Sequence, residues 1–234
     1  MSTPLRLGTR RSPLAVAQSE QVADALRRSS GRAVELVEIT TRGDVDPAPL
    51  ATIGGTGVFV SALREALLAE TVDVAVHSLK DLPTAPADGL VTAAVPPRAD
   101  PRDALVGASL PALPVGARVG TGSPRRAAAL HAMKRGLRPV EVRGNVDTRL
   151  AMVSDGRLDA VVLAMAGLAR LGRSNVVAHA LDPAQMLPAP GQGALAVEVR
   201  RDVAEALAGA MAQVDDPDSH AAVRAERAAP VSYT

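Results

Sequence analysis

The sequence predicts an α/β fold with mainly parallel sheets, arranged as two lobes. Strand-like and helix-like patterns alternate along most of its 234 residues, as expected of repeated βαβ units. One strand-like run, "VDVAVHS", is apolar enough to be buried on both faces of a parallel sheet. Two stretches rich in proline and turn formers, "VPPRADPRD" (95–103) and "LDPAQMLPAPGQG" (181–193), read as linkers around a block with strands and helices of its own. A cleft between the two lobes follows from that reading.

The elements can be justified in order. Leu5 to Thr9 reads as a short strand, and Ser12 followed by Pro13 caps and opens a helix. Ala15, Val22 and Leu26 recur at helical spacing until Gly31 ends the run. Val34 to Ile39 is a second strand. The glycine-rich "IGGTGVF" then leads into a helix with Phe59, Leu63, Ala66 and Leu67 on one face. It lacks the Gly-Lys-Ser/Thr ending of a phosphate-binding P-loop and reads as a mobile loop over the cleft. In the middle block, "ARVGT" is a strand and Ser123-Pro124 opens a helix. "RPVEVRG" is a strand, "VDTRLAMVSDG" a short helix, and "DAVVLAMAGLARL" a strand running into a helix. "ALAVEV" is a late strand. Val203, Leu207, Ala210, Met211 and Val214 mark one last amphipathic helix, and the tail from "AERAAPVSYT" forms no further element.

Composition narrows the function. The formal charge is +1 and aromatic residues make up 1% of the chain. A general polyanion binder carries a larger basic excess, and single-strand nucleic-acid binding relies on aromatic stacking. No nucleic-acid partner is therefore expected. There is no cysteine, so the chain has no disulfide, thiolate nucleophile or cysteine metal ligand. His, Asp and Glu show no metal-ligand spacing. No apolar run approaches the roughly 20 residues that span a bilayer, and no signal peptide is evident. The expectation is a cytoplasmic protein without a membrane partner.

Two corners resemble each other. "GTRRSPLA" and "GTGSPRRAAAL" each place Gly-Thr, Ser-Pro and an arginine pair where a strand feeds a helix, with no acidic residue beside either. Such a corner aims backbone N–H groups and the positive end of a helix dipole at one spot. The arginine forks match carboxylates in bidentate pairs. Arg10, Arg11, Arg125 and Arg126 therefore mark an anion site. The alternative is a capped helix with solvated arginines. "RGNVDTR" adds Arg143 and Arg149 just after a strand, with a surface Arg–Asp pair as its alternative. Arg170 in "AGLARL" is a further candidate. "AVHSLKDLP" presents Ser78, Lys80 and Asp81 at the carboxyl end of a buried strand, where open α/β sheets bind ligands. Amid arginines, a lone carboxylate there can shuttle a proton or steady a cation. An ordinary Lys–Asp salt bridge is the alternative. His77 reads as a hydrogen-bonded structural histidine.

"GTRRSPLA", "TRGD", "AVHSLKDLP", "DPRDAL", "GTGSPRR", "RGNVDTR", "LAMAGLARL" and "LPAPGQGAL", in this order over Leu5 to Arg227, resemble the porphobilinogen deaminase (hydroxymethylbilane synthase) family. The resemblance implies a typically monomeric transferase of haem and tetrapyrrole biosynthesis. It would condense four porphobilinogens head to tail into hydroxymethylbilane, with release of ammonia. It also implies two lobes like those of periplasmic binding proteins: 1–97 with 191–213 as a discontinuous first lobe, 101–188 as the second, and hinges at 98–100 and 189–190. By the same resemblance, Asp81 is the catalytic carboxylate, which holds pyrrole N–H groups, helps protonate the leaving amine and stabilises the azafulvene cation.

Arg10, Ser12, Lys80, Thr121, Ser123, Arg125, Arg126, Arg143, Arg149 and Arg170 would bind the carboxylates of porphobilinogen and linear oligopyrroles. Ser78, Phe59 and Gln192 would lie at the cleft or hinge. The family's dipyrromethane primer hangs on a cysteine in a third α+β domain. In this chain that domain is expected to be missing, with 214–234 a remnant of its start and covalent attachment excluded. Thr56, Gly122 and Pro124 depart from the family's usual lysine, serine and leucine. A non-catalytic pyrrole-carboxylate binder or regulatory paralog is the alternative function.

Overall fold

A computed structural model describes residues 3–40, 60–133 and 135–228. "TRGD", Thr56 and Phe59 lie outside the described residues. The described chain forms two compact units. One combines the residues up to Arg98 with those from Ala194 onward, and the other is Ala99–Gly193.

The first unit contains β1 (Leu5–Arg10), α1 (Pro13–Ser30), β2 (Val34–Ile39), α2 (Ser61–Leu68), β3 (Val74–Ser78) and β4 (Leu90–Ala94). Its sheet has the order β2-β1-β3-β10-β4, where β10 (Leu195–Arg200) enters from the far side of the sequence. β10 runs antiparallel to both its neighbours, while β1 is parallel to β2 and β3. Four strands thus share one direction and one opposes them. Side chains alternate across this sheet. Val74, Val76 and Val197 join Leu7, Val22, Leu26 and Met211 on one side, while Ala75 meets Leu63 and Leu67 on the other. Both faces are covered, which is why Val74, Ala75 and Val76 of β3 are all buried.

α1 shows how local chemistry sets the ends. The Ser12 side chain accepts from the Ala15 N–H, and Pro13 occupies the first turn. Gly31, at φ 66°, donates its N–H to the Arg27 carbonyl and ends the helix. Gln18, Ser19, Val22, Ala23 and Leu26 are buried along one stripe.

The second unit contains β5 (Asp103–Val106), β6 (Arg118–Thr121), α3 (Pro124–Ala132), β7 (Arg138–Glu141), α4 (Val146–Ser154), β8 (Ala160–Ala164), α5 (Met165–Arg170) and β9 (Val177–Ala180). Its order, β7-β6-β8-β5-β9, repeats the first: β6 is parallel to β7 and β8, and β5 is antiparallel to β8 and β9. Leu105, Val119, Leu130 and Met186 form its larger core, and Val106, Val161, Leu163 and Leu168 fill the other side. The segment read from sequence as a second linker is anchored in this core by Leu181 and Met186, both fully buried.

Two differences from expectation lie after β10. The single amphipathic helix is two, α6 (Arg201–Ala206) and α7 (Ala208–Val214), meeting at Leu207, whose φ of −107° leaves the helical region. Gly209, the weakest helix former there, stands two residues later. A further helix, α8 (Pro217–Ala228), follows and takes in the first four residues of the tail, 225–228. Asp216 accepts from the Ser219 N–H and Pro217 sits in the first turn. α8 packs on the first unit: Val223 is buried with Val60, Leu79, Leu82 and Val95, and Glu226 takes a two-pronged bond from Arg98 at 2.6 and 3.0 Å.

A buried polar cluster lies inside the first unit. Arg64 donates to both oxygens of Glu198, at 2.8–3.1 Å. His77 Nε2 stands 3.2 Å from Glu198 Oε2, near enough to pair but without hydrogen-bond alignment. Burial would raise the Glu198 carboxyl pKa, but His77 and Arg64 outweigh it and hold the carboxyl below its usual range. A carboxyl with a depressed folded pKa stabilises fully above its unfolded value, about 4.3, and loses that contribution as pH falls through the lower folded value. The urea midpoint should therefore drop steeply below about pH 4, and Glu198→Gln should flatten that slope. An equal slope in the variant would show that Glu198 is not a source of it.

Candidate functional site

In the second unit, α3 and α4 begin at the carboxyl ends of β6 and β7, and both starts are capped from their own turns. Ser123 accepts from the Arg126 N–H, and Asn145 Oδ1 accepts from the Thr148 N–H and hydroxyl. Thr121 Oγ1 accepts from the Ser123 N–H at 3.1 Å. The hydroxyls of this corner build the turn itself. The same holds at the first corner, where Ser12 caps α1 and the buried Ser19 hydroxyl donates to Thr9 Oγ1 at 2.8 Å.

The arginine pair of the second corner has an acidic partner, contrary to the expectation that none stands beside it. Asp103, the fully buried first residue of β5, accepts from Arg125 Nη2 at 2.8 Å and from Arg126 Nη2 at 2.7 Å. Gln192 Nε2 donates to the same carboxylate at 2.7 Å and to the Pro101 carbonyl at 2.7 Å. Arg125 Nη1 also reaches the Leu187 carbonyl, and Arg126 Nη1 the Val162 carbonyl. The sequence conceals the partner because β5 lies two places from β6 across the sheet. Burial alone would raise the Asp103 pKa, but the two guanidiniums reverse this and keep it ionised. One carboxylate between two guanidiniums leaves one positive charge in excess. Gln192, expected at the cleft or hinge, is thus a buried member of this network. Beside it Gly193 has φ +90°, and a Cβ there would fall 2.4 Å from the Ala99 carbonyl oxygen.

Arg149, on α4, is half-buried; its Nε donates to the Gly144 carbonyl at 2.9 Å. Burial first, then the charges of Arg126 and Arg143, press its pKa down. Among the described residues no carboxylate pairs with it. A guanidinium in such surroundings favours an incoming anion. Arg170 differs: its Nη2 donates to the Gly193 carbonyl at 2.7 Å, its Nε is buried without a partner, and burial lowers its pKa.

In the first unit, β3 ends at Ser78, which exchanges hydrogen bonds with Gln18 at 3.0 and 3.2 Å. The chain then makes a single 3₁₀ turn, Leu79–Asp81. Lys80 and Asp81 on it are half-buried, and the Asp81 carboxylate has no hydrogen bond or ion pair among the described residues. Arg10 is half-buried at the end of β1, while exposed Arg11 lies 3.4 Å from Glu38. Sequence reasoning missed Asp103, Glu198, Arg64 and Arg227. The clearest available signal was an acidic residue within an apolar strand, as in "DALV" and "LAVEV". Among the described residues no helix is long and apolar enough to cross a membrane.

The two α/β units define a protein with the architecture of solute-binding proteins. The methionine-binding protein MetQ superimposes with a TM-score of 0.56 over 95% of this chain and 94% of that one, at 13% identity. A periplasmic substrate-binding protein from Coxiella burnetii gives 0.53 over 95% and 96%, at 16% identity. At these identities the likeness is one of fold. The sequence is more specific. Residues 5–208 match the family described as "Porphobilinogen deaminase, dipyromethane cofactor binding domain", and the chain belongs to the porphobilinogen deaminase family. It is 60% identical over 230 residues to porphobilinogen deaminase 1 of Streptomyces coelicolor, covering 95% of this chain and 72% of that protein. The porphobilinogen deaminase of Mycobacterium tuberculosis is 56% identical over 227 residues, covering 96% and 72%. For that of Nocardia farcinica the figures are 58% over 229 residues, covering 97% and 65%.

Proposed function

We propose that the chain binds porphobilinogen and linear oligopyrroles through their carboxylates and acts in the head-to-tail condensation of four porphobilinogens to hydroxymethylbilane, releasing ammonia. The carrying observation is the half-buried Arg149 guanidinium, pressed by Arg126 and Arg143 and paired with no carboxylate among the described residues. An acetate or propionate side chain supplies the missing charge. Arg143 and Arg149 take the substrate acids directly, with Arg10, Lys80 and Arg170 as further cationic contacts. Arg125 and Arg126 are oriented by Asp103, and their excess charge favours the anion. Asp81 handles the pyrrole N–H groups and the proton of the leaving amine. Its carboxylate is committed to no partner among the described residues, so it can accept these bonds.

The same donor set suits the acids of a dipyrromethane, whose chemistry is to prime chain growth. None of the 234 residues is cysteine, so these residues would hold it by ion pairing alone. That observation also favours a second reading, in which the chain binds pyrrole carboxylates without turnover.

Calorimetric titration with porphobilinogen tests the binding. A charge-assisted bond contributes about 1.5–3 kcal/mol, so Arg149→Gln should weaken affinity by roughly 10- to 150-fold. Unaltered affinity would remove Arg149 from the site and the main support with it. Ammonia release then separates the two readings, since the binding reading predicts none.

A further inference from the structure

We infer that Arg227, on α8, is a positioning residue for Asp81: it grips the backbone of the turn that carries the carboxylate and so sets where that carboxylate stands. The inference rests on the reading of Asp81 as the catalytic acid. Arg227 Nη1 donates to the carbonyls of Leu79 at 3.2 Å and Leu82 at 2.9 Å, and Nη2 donates to that of Pro83 at 2.5 Å. One guanidinium therefore collects three carbonyls that bracket Lys80 and Asp81. The Leu79 carbonyl also accepts from the Leu82 N–H that closes the turn, and a fork of fixed geometry is suited to bind several carbonyls at once.

The turn is tied on its other side too, where the Leu79 N–H donates to the Ala194 carbonyl at 3.1 Å. Nothing among the described residues holds the Asp81 carboxylate itself, so its place follows from its backbone. The approach of Arg227 is fixed by the helix that bears it. Val223, Glu226 and Arg227 share one face at i, i+3 and i+4. Val223 packs on Leu79 and Leu82, and Glu226 binds Arg98. Farther up, Asp215 accepts from the Val95 N–H at 2.6 Å and Ser219 from the Arg98 N–H at 2.9 Å. Burial, and then Arg64, lower the Arg227 pKa. The guanidinium is thus held in place against its own desolvation, and carbonyl dipoles repay that cost.

The test compares Arg227→Gln and Arg227→Lys with the exposed-helix control Arg224→Gln, all in the full chain. Hydrogen exchange at the amides of Leu79 and Leu82 should quicken about tenfold or more in Arg227→Gln. Exchange should be intermediate in Arg227→Lys, which keeps the charge but loses the fork, and unchanged in Arg224→Gln. With porphobilinogen, kcat for ammonia release should fall on the order of 10- to 100-fold in Arg227→Gln while KM stays within about twofold. Unchanged exchange in Arg227→Gln would overturn the proposal. So would quickened exchange with an unchanged kcat, or a loss confined to KM. If the unaltered chain releases no ammonia, the catalytic reading fails by itself, and the exchange result still decides whether Arg227 holds the turn.

Discussion

Replacing Asp81 with asparagine is expected to slow ammonia release from porphobilinogen by about 10²- to 10⁴-fold, the usual worth of a positioned proton-transfer group. Porphobilinogen affinity should fall by much less than the rate, because the asparagine amide oxygen can still accept from a pyrrole N–H and the substrate acids are assigned to arginines elsewhere. Stability should also hold. Asp81 is half-buried and makes no hydrogen bond or ion pair among the described residues, so its removal strands no partner. This combination distinguishes a working carboxylate from a structural one. A structural salt bridge with Lys80, the plainer reading of "LKD", predicts some loss of stability and full activity. A variant that releases ammonia at the unaltered rate would exclude Asp81 from the chemistry.

Asp103→Ala should produce the largest loss of stability of any single change considered. It strips the carboxylate from two guanidiniums and leaves Gln192 with one fewer acceptor. Breaking a buried ion pair by removing one member costs about 3–5 kcal/mol, because the remaining charge is buried unpaired. Here Arg126 is 6% exposed, so water cannot replace the lost partner. Asp103→Asn keeps the shape and some hydrogen bonds and should fall between. Urea unfolding gives the comparison. A loss below about 1 kcal/mol, the level of a surface pair, would mean that the network is solvated and contributes little. Because Asp103 orients Arg125 and Arg126, the asparagine variant should also bind porphobilinogen more weakly.

How much of this was legible in the sequence varies by element. Both ends of α1 could be read from Ser12, Pro13 and Gly31, because capping is a local matter of one hydroxyl, one ring and one positive φ. β5 was hidden: four residues, "DALV", directly follow a proline-rich run that reads as a linker, and their strand character comes from pairing with β8 and β9. α8 was hidden for a different reason. Its capping signal, Asp216-Pro217 with Ser219, is present, but only Val223 is buried on it. A helix docked mainly by Glu226 and Arg227 shows no apolar stripe. At the site, the motif around Asp81 stood out because it directly follows a largely apolar, buried strand. The pairing of Arg125 and Arg126 with a carboxylate 22 and 23 residues away could not be seen, since sheet order and not spacing brings them together. The hydroxyls of Ser12 and Ser123, read as possible ligand contacts, are engaged by their own helices.

The account depends on cationic side chains receiving pyrrole carboxylates while one uncommitted aspartate works on the amine. Ammonia released from porphobilinogen by the purified chain, counted per molecule of protein alongside its intact mass, tests this most directly. The predicted result is release well beyond one equivalent, with a protein mass that returns to that of the bare chain after denaturation. No release above the Asp81→Asn variant would contradict it.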